Sequence, residues 1–167
     1  MPDRPSLVID SSVFMQAARV YYAFDLAPGF WEALVQRAAE GRVLSIDHVM
    51  VEIKRGKDAL SDWSESAFRH AFVATTEPDV TAEYTSIMRW VAGNQQFLDS
   101  AKAEFADGAD GWVVAYAKAR GLVVVTQEVL SPGVKRKVPI PNVCEQFGVK
   151  WMDTFAMLRA LGITLKL

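Results

Sequence analysis

Asp110-Gly111-Trp112-Val113-Val114-Ala115-Tyr116-Ala117-Lys118-Ala119-Arg120 runs without a break into Gly121-Leu122-Val123-Val124-Val125-Thr126. The first half opens on an acidic residue, repeats apolar side chains at helical spacing and stops at a glycine, which predicts a helix over 110–120. The second half is short, apolar and β-branched, and it predicts a strand over 122–126. A helix delivering the chain straight into such a strand is the unit from which parallel sheets with helices on both faces are assembled.

Near the N-terminus, Leu7-Val8-Ile9-Asp10 reads as a buried strand ending in a carboxylate, and Ser11-Ser12-Val13-Phe14-Met15 as the start of a helix. A helix is predicted from Gly29 to Glu40 with Gly41 as its stop, then a strand over Arg42–Ile46. Asp47 is placed to cap a helix through His48-Val49-Met50-Val51-Glu52-Ile53-Lys54, ended or kinked by Gly56. Residues 57–104 have a mostly helical pattern, punctuated by Pro78 and Gly93, with Trp63, Phe68, Phe72, Ile87, Trp90, Val91, Phe97 and Leu98 as expected core. The segment from Ser131 to Pro141 holds three prolines and three basic residues and reads as a loop. Gly148–Met152 is the last strand, and Asp153 caps a helix from Thr154 to about Leu161 that buries Phe155, Met157, Leu158 and Leu161. The expectation is one α/β domain over residues 1–167, in three α/β/α layers around a central parallel sheet of four or five strands.

Half of the 167 residues are apolar and about a quarter are charged, which supports one sizeable core and argues against disorder. No stretch approaches the roughly 18 to 20 uninterrupted apolar residues of a membrane helix. Met1-Pro2-Asp3-Arg4-Pro5 lacks the basic-then-apolar run of a secretion signal, and Cys144 is the only cysteine. A cytoplasmic, reducing location is therefore expected, with no intrachain disulfide and no multi-cysteine zinc site. The net charge of −2 runs against nucleic-acid binding, unless acidic residues gather around divalent cations that reverse the local field.

The acidic residues are distributed in a way that suits such a site. Asp10 ends the first strand, Glu52 lies in the helix after the second, Asp110 begins the helix before the strongest strand, and Glu128 follows that strand by two residues. In a parallel sheet with helices on both faces, ligands bind beyond the carboxyl ends of the strands, and all four side chains can reach that edge. Carboxylates converging there repel one another unless a cation sits among them, and hard oxygen donors suit Mg²⁺ or Mn²⁺. Ions so held can activate water for in-line attack on a phosphodiester.

Val8-Ile9-Asp10-Ser11-Ser12, Glu52, Ala109-Asp110-Gly111-Trp112-Val113-Val114-Ala115 and Val124-Val125-Thr126-Gln127-Glu128 resemble, in order and spacing, the acidic motifs of PIN-domain nucleases. Tyr21-Tyr22, Phe30-Trp31, Gly41-Arg42-Val43-Leu44-Ser45, Glu52-Ile53-Lys54, Lys137-Val138-Pro139-Ile140-Pro141 and Asp153-Thr154-Phe155 resemble a bacterial PIN-like group of largely uncharacterised function, related to VapC-type toxins. The resemblance implies a PIN-like domain, a Mg²⁺- or Mn²⁺-dependent endoribonuclease acting on single-stranded RNA, an antitoxin protein as partner and a homodimer. It carries Asp10, Glu52 and Asp110 onto the metal-binding triad. Glu128 departs from the Asp or Asn of many relatives, and Ser11 or Thr126 takes the place of a hydroxyl that positions a ligand or water.

Plainer readings stand beside these. Asp10 can be a helix cap, Asp110 a dipole partner with Asp107 competing for its role, Glu52 a solvated helix residue paired with Arg55, and Glu128 a loop carboxylate. His48 and His70 have no metal-pair spacing, and the five tryptophans read as core, although one near the site could stack on a base. Lys54, Arg55, Lys135, Arg136 and Lys137 are either phosphate contacts or solvated charge. An aspartyl nucleophile at Asp10 is disfavoured, because Ser12 stands where a second Asp would be expected. The alternative function is a catalytically inactive PIN-like binding module that works through a protein partner.

Overall fold

A computed structural model describes residues 6–166, so Met1–Pro5, read above as lacking a secretion signal, lies outside the described residues. Among those residues five strands form one all-parallel sheet in the order β3-β2-β1-β4-β5. They are β1 (Leu7–Ile9), β2 (Val43–Ile46), β3 (Phe72–Val73), β4 (Val123–Val125) and β5 (Trp151–Met152). Leu7 and Val8 pair with Val43 and Leu44 on one side of β1, while Leu7, Val8 and Ile9 pair with Val123, Val124 and Val125 on the other. β1 and β4 are buried at every position, as strands covered by helices on both faces must be.

The crossovers are helical. α1 (Ser11–Gln16) continues into a π-helical turn over Ala17–Tyr21, and α2 (Pro28–Ala39) returns the chain to β2. α3 (Asp47–Lys54) and α4 (Ala59–Glu65) precede β3, and α5 (Pro78–Gly93), α6 (Asp99–Asp107) and α7 (Asp110–Arg120) lead to β4. α8 (Ile140–Phe147) lies between β4 and β5, and α9 (Thr154–Ala160) follows β5. This is the expected three-layer α/β/α arrangement, with α7 packed against β4, β1 and β2 and against α5 and α8. Gly121 ends α7 in the left-handed region at φ 67°, where a β-carbon would be strained.

Several expectations need correction. The helical stretch of 57–104 contains β3, a two-residue edge strand that pairs with Ser45 and Ile46 and is too short to impose an alternating pattern. The loop expected up to Pro141 ends earlier, because Ile140 and Pro141 open α8, where proline's missing N–H is not needed. Ile46, not Asp47, holds the cap position of α3, and the Asp47 carboxylate instead accepts from His48 N and from the backbone and hydroxyl of Thr75. Asp153 does cap α9, accepting from Ala156 N at 2.8 Å. Of the expected core, Trp63, Phe68, Ile87, Val91 and Phe97 are buried, Phe72 and Trp90 are partly so, and Leu98 and Phe155 are exposed at 47% and 45%.

Candidate metal centre

From β1 the chain steps to β2 and β3 on one side, then crosses to β4 and β5 on the other, so the order reverses between β1 and β4. At such a switch point the loops leaving the two strands diverge and a crevice opens beyond their carboxyl ends. Asp10 directly follows β1, and Thr126, Gln127 and Glu128 directly follow β4. The start of α7 brings Asp110 to the same edge.

Asp10, Asp110 and Glu128 each present a carboxylate oxygen there, and those oxygens lie within 4.8 Å of one another. Asp10 is almost wholly buried, at 1% exposure, yet it makes no capping bond to α1. Its Oδ2 accepts from Ser12 Oγ at 2.6 Å and from Thr126 Oγ1 at 3.1 Å, so the hydroxyls that follow β1 and β4 fix its direction. Ser12 Oγ also accepts from Gln127 N, which ties the two loops together, and Thr126 Oγ1 accepts from Glu128 N within the second loop, each at 3.1 Å. Asp110, in the first turn of α7, accepts no hydrogen bond from any described side chain that would offset its burial.

The two glutamates are anchored differently. Glu52 is not one of the three converging carboxylates: its Oε2 accepts from Ser11 Oγ at 2.8 Å and its Oε1 from Ala109 N at 2.7 Å. It therefore ties α3 to the residue just before Asp110. Gly108 leaves room for this contact, since a β-carbon there would meet Glu52 Oε1 at 3.3 Å. Gly111 serves the other side, because a β-carbon would come within 3.1 Å of the Tyr84 and Phe105 rings and push the start of α7 away. Glu128 Oε1 accepts from Ile140 N at 3.1 Å, holding the first turn of α8, and lies 3.5 Å from Lys137 Nζ.

The electrostatics reflect unbalanced negative charge. Burial is the main cause that pushes the Asp10 carboxyl up to about 6; the Ser12 bond opposes it, Glu128 reinforces it, Thr126 opposes it and Glu52 reinforces it. Asp110 is pushed up to about 9, by burial first and then by Asp10, Glu128 and Glu52, with Lys137 alone pulling the other way. The buried Cys144 thiol rises to about 12, again from burial and then from Asp10 and Glu128. Such a cluster can be neutralised by protons or by a cation. The donor set fits a hard divalent ion: several carboxylate oxygens at converging range, one of them on a residue with no competing hydrogen bond.

Among the other sequence candidates, Asp107 is exposed at the end of α6 and stands outside the converging group. Lys54 pairs with Glu65 at 3.2 Å, and of the five basic candidates Lys137 alone makes an ion pair with a site carboxylate among the described residues. Ser12 is the residue the sequence reading missed. Its signal was present in Asp10-Ser11-Ser12, where the second hydroxyl, two positions on, is the one that meets the carboxylate most closely.

The family model described as a domain of unknown function, DUF4411, matches residues 7–165. No curated protein matches the sequence. Two solved structures are similar in fold. FitAcB from Neisseria gonorrhoeae superimposes with a TM-score of 0.54 at 18% identity, covering 87% of this chain and 96% of that one. VapBC2 from Rickettsia felis, bound to a DNA fragment from their promoter, gives 0.51 at 11% identity, covering 88% and 97%. At these identities the likeness is one of architecture, and the architecture is the PIN-like one that the acidic motifs implied.

Proposed function

The chain belongs to the DUF4411 family of domains of unknown function, and from that premise we propose that it is a divalent-metal-dependent endoribonuclease cleaving single-stranded RNA, the toxin of a toxin–antitoxin pair. The observation that carries this reading is the convergence of Asp10, Asp110 and Glu128 at the switch point of the sheet. These three residues would hold Mg²⁺ or Mn²⁺, which when bound supplies charge neutralisation and an activated water for in-line attack on a phosphodiester. Ser12 and Thr126 keep the Asp10 carboxylate aimed into the crevice. Glu52, with both oxygens already engaged, acts as a positioning residue that sets the start of α7 and hence Asp110. Lys137, about half exposed and beside Glu128, is placed to meet a substrate phosphate.

An antitoxin protein or a second copy of the chain would cover the apolar surface where Val20, Tyr21, Leu26 and Phe155 are exposed, with Tyr21 set edge-on to Phe155 at 6.2 Å. No described helix is long and apolar enough to cross a membrane. Purified protein is expected to cut single-stranded RNA with Mn²⁺, to stop on adding a chelator and to be inactive as Asp10→Asn. Undiminished cutting in the chelator or in that variant would sink the reading. The second reading, an inactive PIN-like module acting through a protein partner, draws support from Glu128 Oε1, which already has two partners of its own. Calorimetry that finds no Mn²⁺ binding at millimolar concentration would select it.

A further inference from the structure

Beside the carboxylates stands a column of three flat rings. Tyr84 lies parallel to Trp112, with centroids 3.7 Å and planes 6° apart, and His48 is parallel to the same indole at 4.7 Å and 5°. His48 and Tyr84 make no ring contact with each other, so they take opposite faces of Trp112. The His48 side chain has one face against the indole and still keeps 40% exposure, which leaves its outer face open to solvent. The first turn of α3 is fixed, because the Asp47 carboxylate accepts from His48 N at 2.8 Å and from Thr75 Oγ1, two residues beyond β3, and the same carboxylate lies 3.9 Å from His48 Nε2.

The column is continuous with the metal centre. His48 and Glu52 are four residues apart, one above the other on α3, and Glu52, whose charge acts on both Asp10 and Asp110, accepts from Ala109 N, three residues before Trp112. An open aromatic face one helical turn from Glu52, at the margin of a phosphodiester-cleaving centre, matches what a single strand offers, a planar base attached next to each phosphate. Resting on the ribonuclease reading above, we propose that the outer face of His48 is a nucleobase subsite, which receives one unpaired base of the RNA strand whose phosphate lies over Asp10, Asp110 and Glu128. Trp112 and Tyr84 back the imidazole, so that the base extends the column by a fourth layer. Every base has a π-face, so the subsite selects for unpaired strand and not for sequence.

The test is fluorescence anisotropy with a short labelled single-stranded RNA and an abasic ribose-phosphate strand of equal length, with Ca²⁺ replacing Mg²⁺ to keep the strand intact. His48→Ala is expected to weaken RNA binding on the order of 5- to 100-fold and to leave the abasic strand unaffected. His48→Phe, which keeps a flat ring against Trp112, is expected to bind RNA within about twofold of the parent protein. Mn²⁺ affinity should be the same in all three proteins. Unchanged RNA binding in His48→Ala, an equal loss for the abasic strand, or failure of the Phe variant to restore binding would each overturn the subsite. The nuclease reading fails separately, if the parent protein binds RNA in this base-dependent way and never cuts it with Mn²⁺ or Mg²⁺.

Discussion

The two aspartates of the crevice and its two glutamates do opposite work for the fold. Asp10 and Asp110 sit on its floor, at the end of β1 and the start of α7, where burial first and then neighbouring carboxylates push both carboxyls upward. Glu52 and Glu128 sit on its walls and hold backbone N–H groups at the helix starts, Ala109 for α7 and Ile140 for α8. The floor is thus stored electrostatic strain, whereas the walls are structural ties. Carboxylates that count alike as metal-ligand candidates differ in what their removal does to the empty protein.

Asp110→Asn is the sharpest way to break this contrast. It should reduce Mn²⁺-dependent cleavage by about three orders of magnitude or more, because a charged ligand is lost, and yet raise the melting temperature in chelator near neutral pH, because folding no longer requires that carboxyl to take up a proton. A lower melting temperature in chelator would place Asp110 with the ties. Glu52→Ala should show the reverse balance, destabilising the metal-free protein by about 1–3 kcal/mol as Ala109 N and Ser11 Oγ lose their acceptor, measurable by urea denaturation. Glu52→Gln, which keeps acceptor capacity, should recover part of that loss.

The floor also predicts a pH dependence. Both carboxyls hold protons more tightly folded than unfolded, so the stability they contribute is full below their ordinary value of 3.8 and is lost as pH rises through about 6 for Asp10 and about 9 for Asp110. Melting in chelator should therefore fall across that window, and the rise in melting temperature on adding Mn²⁺ should grow with pH. A Mn²⁺ effect that is flat from pH 5 to pH 9 would contradict the charge assignment. The smallest effect is expected from Glu128→Gln, where the amide oxygen can still accept from Ile140 N. Calorimetry should then show Mn²⁺ affinity lower by about tenfold with little change in melting.

Much of this was legible in the sequence wherever a signal is local. The run from Asp110 to Thr126 declares its helix, stop and strand, and Asp10 could be placed at a strand end from four residues. The reversal of strand order then brings Asp10 and Glu128 together without further information. What was not legible depends on contacts across the fold. β3 is two residues held by pairing with β2 and not by its own pattern. Pro139 and Pro141 look like loop residues until one sees that a helix starts between them. The resemblance carries Glu52 onto the metal-binding triad, and nothing near it in the chain announces that Ala109 N, 57 residues away, claims one of its oxygens. Leu98 and Phe155 fall at helical spacing, yet the described residues leave each about half exposed, because packing partners far along the chain decide burial and spacing alone does not.

Ser12 and Thr126, arriving from adjacent strands, grip a single oxygen of Asp10. A ligand clamped in that way has already given up its rotamer freedom, so an incoming ion need not wait for a loop to settle. Loading of the proposed ion would then be governed by how fast it sheds water, which would order Mn²⁺ ahead of the more tightly hydrated Mg²⁺.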